Sequence, residues 1–256
     1  MKLYFKFILI LNLFFYNTSF AKSIDINFTS QISDDDYKKV VESVINPTRF
    51  QFIEAPSSTT KKLIALSFSA GVGISLVSIP QSTIDAINAN TNLSNNFPNS
   101  LLIPRIIAKV GLPGNFDLAI NYAKIPDNPI SISGIGIQYG FYNPRLLPIS
   151  LSIRGGYTQL TGFSELTANT KSLEGLIGIY IPFIKPYAGI GNNWSKSNTE
   201  ISKTISNQSF NLTKSAEWSQ FYSTVGIQFI SIIGIALEAQ FSSNQTLYNA
   251  KLSLEI

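Results

Sequence analysis

From Leu63 to the end of the chain, apolar residues recur at every second position, and this periodicity restricts the fold more than any other feature. Side chains alternate across a strand, so each such segment has one apolar face and one small or polar face. Ile64, Leu66, Phe68, Ala70, Val72, Ile74 and Leu76 alternate with Ser67, Ser69, Gly71, Gly73 and Ser75. The pattern returns over 105–112, 116–123, 134–141, 149–158, 221–229, 235–242 and 248–256, and less cleanly over 165–181 and 186–196. Ten strands result, most of them about ten residues long, the length a tilted strand needs to cross a bilayer.

Charge decides what such strands build. Only 13% of the residues are charged and 45% are apolar, about half the charge of an ordinary soluble domain. Beyond the N-terminal leader, no segment approaches the roughly 20 continuous apolar residues of a membrane helix. A closed barrel is the other backbone arrangement that satisfies its hydrogen bonds in lipid. The connections carry an independent signal. Turns 111–115, 143–145, 182–186 and 231–234 are tight, whereas 77–102 and 197–217 are long. Short turns at one end and long loops at the other is the outer-membrane arrangement, with both chain ends periplasmic and an even strand number. We therefore expect an all-β, antiparallel up-and-down transmembrane β-barrel over 63–256, with ten strands, or eight or twelve if a weak segment is miscounted.

Periodicity alone does not say which face is inside. A soluble exported barrel holding an apolar ligand would turn the apolar face inward. Against it, the other face is rich in Gly and Ser and poor in charge. Aromatic residues also gather near strand ends. Phe116, Phe141, Phe183, Tyr187 and Phe229 fall at the short-turn end, and Tyr122, Tyr157, Trp194, Phe241 and Tyr248 at the long-loop end. Two such belts match the girdles of membrane interfaces. Trp218 fits a belt by height, but its parity points inward. Tyr248 to Ile256 resembles the C-terminal strand read by the barrel assembly machinery, although the usual last residue is Phe.

The N-terminal part is different. Lys2 and Lys6 precede an apolar run from Phe7 to Tyr16. Ser19 and Ala21 stand at −3 and −1 of a cut before Lys22. That order reads as a cleavable secretory signal over 1–21 rather than an uncleaved anchor. Residues 22–62 carry Asp34, Asp35, Asp36, Glu42 and Glu54. Ser33 before three acids is a helix start, and Pro47 a stop, so one short helix is expected over 34–45. We read 22–62 as a surface helix or periplasmic extension, the alternative being a plug entering the lumen.

From Leu101 onward, Leu112-Pro113-Gly114-Asn115-Phe116-Asp117, the passage from Ser150 to Gly162 and Lys185-Pro186-Tyr187-Ala188-Gly189-Ile190-Gly191 resemble an uncharacterised family of Gram-negative outer-membrane barrel proteins. The resemblance implies an outer-membrane address and no activity.

Chemistry is narrowly bounded. The chain has no histidine and no cysteine. That removes Ser–His and Asp–His catalysis, thiolate chemistry and disulfides. Glu238 and Glu255 could form a carboxylate pair, but buried lumen charges need partners, and Arg105, Lys109, Arg154 and Lys251 are on hand, with Asp117 on the same polar face. No enzyme, cofactor or metal is expected. The glycine alternations at 71–73, 134–136 and 189–191 do not join a strand to a helix, so they are not nucleotide loops. They leave room for a narrow channel, a plug, or the few large inward side chains. A formal net charge of +4, two of it in the leader, gives no case for nucleic acid. The expected surroundings are outer-membrane lipid and lipopolysaccharide. The functions left are a narrow pore or structural membrane protein, or a surface-binding protein acting through loops such as 197–217.

Overall fold

A computed structural model describes residues 32–56, 66–90, 99–124, 130–142, 148–162, 166–205, 208–229 and 233–255. The leader and its cleavage site lie outside these, as does Ile256.

Ten antiparallel strands close into a barrel in which each strand pairs with its sequence neighbours and β1 pairs with β10. They are β1 (Ser67–Ser78), β2 (Ser100–Leu112), β3 (Phe116–Lys124), β4 (Ser131–Tyr142), β5 (Ile149–Thr161), β6 (Leu166–Ile179), β7 (Ile184–Ile205), β8 (Gln208–Phe229), β9 (Ile233–Ser242) and β10 (Thr246–Glu255). Among the described residues two helices accompany the strands: α1 (Asp34–Ile45), followed by a 3₁₀ turn at Asn46–Thr48, and α2 (Gln81–Asn90) between β1 and β2. The sequence admits only a turn or two of helix near Thr83; the structure has ten residues of it.

The two faces settle the inside-out question. On β3, Leu118, Ile120 and Tyr122 are exposed, while Asp117, Ala119 and Asn121 are buried. Ile135, Ile153, Ile177, Ile190, Phe221 and Leu237 continue the outer apolar face; Gln138, Arg154, Glu174, Asn193, Thr224 and Glu238 line the inside. A soluble barrel would have the reverse. An apolar exterior on a closed wall is the transmembrane arrangement, and the polar interior removes the reading of an apolar-ligand barrel.

Tight turns hold the lower end. Gly114 and Asn115 take φ of +84° and +65° between β2 and β3. Between β6 and β7, Ile181 and Ile184 exchange backbone bonds around Pro182-Phe183.

Two expectations are corrected. Residues 197–217 are not a loop: β7 and β8 are 22 residues each and pair from Ile184↔Phe229 to Ile205↔Gln208. At about 3.3 Å per residue that is roughly 70 Å of strand, far more than the ~30 Å of a hydrocarbon core. β6 accompanies β7 only to Thr199 and β9 accompanies β8 only to Tyr222, so the hairpin stands above the rim. Its sequence over 197–217 is mostly Ser, Asn, Thr and Lys, with Ile201, Ile205, Phe210 and Leu212 too sparse to give a period-two signal. The second correction concerns the preferred reading of the N-terminal segment as a periplasmic extension: the structure takes the plug alternative. Residues 32–56 are inside the barrel and run from the long-loop end to the short-turn end. Only the barrel's own ends, Ser67 and Glu255, lie together at the short turns.

Candidate functional site

The interior is occupied by the chain itself. Ser33 caps α1 by accepting from the Asp36 N–H (3.1 Å), and Lys214 of β8 pairs with Asp34. Acids at the helix start also suit its positive end. Tyr37, Val40, Val41 and Ile45 form the buried stripe of α1. They share one apolar core with Ile84 and Ile87 of α2 and with Val77, Ile132, Leu160, Leu166 and Leu247 of the upper wall. Tyr37 Oη is 2.7 Å from Thr199 Oγ1 on β7. Ser43 Oγ donates to Thr83 Oγ1 (3.2 Å), and Gln245 Nε2 donates to the Ser43 carbonyl (2.7 Å). The two helices thus cap the upper mouth. Glu42 sits half-buried there; burial pushes its carboxyl above the ordinary range, and Lys38 at 3.9 Å pulls the other way.

Below α1 the chain descends through the lumen, bonded at each level. Trp218 Nε1 and Asn193 Nδ2 donate to Asn46 Oδ1 (2.7 and 3.1 Å). Arg105 donates to Ser75 Oγ (3.1 Å) and to the Pro47 carbonyl (2.5 Å). Arg49 donates to Gln240 and lies 4.2 Å over the Tyr222 ring. Midway, Glu54 receives Lys109 (2.6 Å) from β2 and Lys251 (2.8 Å) from β10. The Lys251 ammonium also donates to the Phe52 carbonyl (3.1 Å). At the bottom, the Ala55 N–H donates to Gln228 Oε1 (2.9 Å).

The inward glycines explain how a peptide fits. A Cβ at Gly136 would lie 2.5 Å from Phe50 Cε1, one at Gly156 2.4 Å from Phe50 Cβ, and one at Gly178 2.8 Å from Pro56 Cγ. These positions are glycine because the threaded chain takes the space of their side chains.

A second polar cluster ties the wall across itself. Arg154 Nε meets Glu174 at 2.6 Å, and Arg154 Nη2 meets Glu238 at 3.3 Å. Tyr187 Oη (2.9 Å), Gln240 Nε2 (2.9 Å) and Asn249 Nδ2 (3.0 Å) all donate to Glu238, and Thr224 Oγ1 donates to Glu174 (2.6 Å). Each of the two carboxylates is thus bound by donors from several strands, which ties β5, β6, β7, β8, β9 and β10 together across the lumen.

The lumen charges named from the sequence are therefore divided among different partners. Arg154 meets Glu238, whereas Lys109 and Lys251 meet Glu54, with Asp117 4.0 Å from Lys109. Arg105 bonds a carbonyl of the threaded segment, and Glu255, near the lower end, accepts from Gln228 Nε2 (3.2 Å). Glu54, Glu174 and Arg49 were missed as lumen groups. Glu174 had the right parity on a weakly periodic strand, and 49–54 come inside only on the plug alternative, which named no residue of its own.

Of the aromatic belts, Phe116, Phe183 and Phe229 are exposed at the lower end, and Tyr122, Tyr157, Trp194, Phe241 and Tyr248 towards the upper one. Tyr139 joins the lower belt beside Phe116, ring centroids 4.7 Å apart. The side chain of Phe141 lies outside the described residues. Tyr187 is corrected: it is 5% exposed and points inward. It shares parity with Gly189 and Asn193, not with Trp194. Trp218 is buried, as its parity required. Among the described residues, no group of three or more acidic side chains is placed to hold a metal ion.

Several solved structures are distantly similar. Ail, the attachment invasion locus protein of Yersinia pestis, is 12% identical over 75% of this chain and 97% of its own, with a TM-score of 0.30. The translocator domain of the autotransporter NalP from Neisseria meningitidis is 8% identical over 87% of this chain and 94% of its own, at 0.44. The outer membrane protease OmpT from Escherichia coli is 8% identical over 78% of this chain and all of its own, at 0.38. No curated protein matches the chain by sequence. A family model does match, across residues 95–256, and by that match the chain belongs to the family of unknown function DUF6588.

Proposed function

We propose that this protein is a Gram-negative outer-membrane barrel kept closed by its own N-terminal segment, and that it serves as an anchored surface platform rather than an open diffusion pore or an enzyme. One observation carries the reading: Glu54 stands in mid-lumen bonded to Lys109 and Lys251 from two different strands. Losing one member of a buried ion set leaves charge uncompensated, at about 3–5 kcal/mol, so the segment is not idle filler. The exterior supports the membrane location. Tyr157, Lys171 and Trp194 stand in register across β5, β6 and β7 on the outer face, where an ammonium between aromatic rings suits the phosphates of lipopolysaccharide. β10 closes the barrel on β1, in keeping with assembly guided by 248–256. With no histidine, and with Glu174 and Glu238 each bound by several donors, the lumen carboxylates support a structural rather than a catalytic role.

Planar-bilayer recording tests the platform reading. The purified full chain should insert silently, with Glu54→Ala or Gly156→Val giving conducting events. Steady conductance of the unaltered protein would overturn closure. A narrow, gated pore is the second reading, and a specific observation favours it. Asn121, Ser152 and Thr158 on the wall have buried polar atoms without a protein partner, as a surface that becomes wet would. Ile53, a β-branched residue at φ +49° within the threaded segment, adds strain that withdrawal would relieve. Voltage- or ligand-dependent opening of the unaltered protein would select this reading over the platform.

A further inference from the structure

Above Tyr222 the barrel wall is incomplete. β9 ends at Ser242, the register partner of Tyr222, while β8 continues upward paired only to β7. Beside this free edge, facing the 243–245 turn, lies a cleft of ≈ 390 Å³, within the roughly 300–1,000 Å³ range of small-molecule sites. It is lined by Glu42 of α1, Trp218, Gln220 and Phe221 of β8, Phe241 of β9 and Asn244 of the turn, with serine hydroxyls between them. It thus joins the lipid-facing rim to the helical cap over the lumen.

Two of its polar groups, Gln220 and Glu42, have acceptor capacity to spare. Gln220 is 7% exposed, and its Oε1 is buried without a hydrogen-bond partner; buried carbonyl oxygens are ordinarily paired. The Glu42 carboxylate is 18% exposed and has only Lys38, at 3.9 Å, within ion-pair reach among the described residues. The other groups are aromatic rings, small hydroxyls and the Asn244 amide.

We propose that this cleft is a binding site for a neutral saccharide, whose hydroxyls donate to Gln220 Oε1 and Glu42 while its C–H faces pack on the aromatic side chains. The alternatives fit less well. No Lys or Arg lines the cleft and Glu42 does, so a phosphate or sulfate would be repelled. An acyl chain would leave both acceptors unpaired. An added β-strand would satisfy the backbone edge of β8 but not the inward-pointing Gln220 amide. The sugar could belong to an outer-leaflet glycolipid or to a free oligosaccharide. The proposal rests on the platform reading and names its ligand class.

The experiment uses the full chain in detergent micelles with Trp194→Phe, which leaves Trp218 as the one tryptophan. Maltohexaose, chitotetraose, a galactan fragment and lipopolysaccharide with neutral core sugars are titrated against Trp218 emission. A sulfated oligosaccharide and an extended peptide are the controls. The expected result is a saturable change with a neutral sugar, weakened about tenfold by Gln220→Leu, as loss of one good hydrogen bond implies, with heat-modifiable gel mobility retained. Asn244→Ala, on the exposed turn, replaces Gln220→Leu if that variant misfolds, and should also weaken binding. Response to lipopolysaccharide alone identifies the outer-leaflet source; response to free sugars identifies the soluble one. No response to any neutral saccharide at about 10 mM, indifference to the substitutions, or preference for the sulfated or peptide control overturns the proposal. Bilayer conductance is independent of this outcome, so failure here leaves the closed-barrel reading standing.

Discussion

The ring of Tyr187 on β7 lies across Gly226, its register partner on β8, with a Cβ at Gly226 falling 2.3 Å from Tyr187 Cζ. The hydroxyl beyond it donates to Glu238. Tyr222 occupies Gly191 in the same manner, from β8 back to β7, with a Cβ there 2.6 Å from its Cζ. Each inward ring therefore fills the missing side chain of its neighbour, and the pair locks the two longest strands. Tyr187 cannot swing away without abandoning Glu238, so Gly226→Ala should destabilise the barrel by about 1–3 kcal/mol. Urea titration of the folded, heat-modifiable band would measure it. Gly155→Ala is the control, since an added Cβ there meets nothing closer than 3.5 Å. Equal midpoints for the two variants would refute the interlock.

That pairing shows where the sequence was legible and where it was not. Alternation such as Leu118–Ile120–Tyr122 against Asp117–Ala119–Asn121 reveals the strands of the barrel, and the charge-poor second face together with the aromatic belts reveals its inside-out polarity. Tyr187 was misread because an aromatic near a strand end looks interfacial until register shows the glycine beneath it. Over 197–217 the sequence is mostly Ser, Asn, Thr and Lys, with few apolar residues to keep a period of two, so no hydropathy contrast marks strand from loop. The threaded segment is hardest. Phe50, Phe52 and Ile53 follow no period, since an irregular peptide in a lumen meets wall on every side. The clue was on the wall instead, in glycines at 136, 156 and 178, and it becomes specific only when their partners are known.

Glu54 is the group to remove first. Glu54→Ala would leave Lys109 and Lys251 facing each other without a carboxylate, apart from Asp117 at 4.0 Å from Lys109. We expect a loss of about 3–5 kcal/mol, or withdrawal of the segment where that costs less. Adding Lys251→Met should recover part of the loss by removing one uncompensated charge. Limited proteolysis of 32–56 alongside urea titration separates the two responses. A single Glu54→Ala variant as stable and as protected as the parent would show that the ion set does not hold the segment.

The two tryptophans should report opposite surroundings. Trp194 is 47% exposed on the outer face, while Trp218 is 8% exposed and bonded to Asn46. In vesicles containing brominated lipid, emission from a Trp218→Phe variant, which retains Trp194, should be strongly quenched. A Trp194→Phe variant should be quenched little. Equal quenching would mean that β7 or β8 is turned inside out relative to the structure.

The direction of threading has a consequence for topology. If short turns face the periplasm, the start of α1 faces outward, although β1 begins at the inner end. The chain lacks cysteine, so single thiols can be placed without background. Asp35 lies exposed in the first turn of α1, and Pro113 lies exposed in the β2–β3 turn. On intact cells, a membrane-impermeant maleimide should label Asp35→Cys and leave Pro113→Cys untouched until the outer membrane is permeabilised. Labelling of both only after permeabilisation would place the α1 end of the segment inside and contradict the threading. The reverse pattern, with Pro113→Cys labelled on intact cells, would keep the threading and invert the barrel in the membrane.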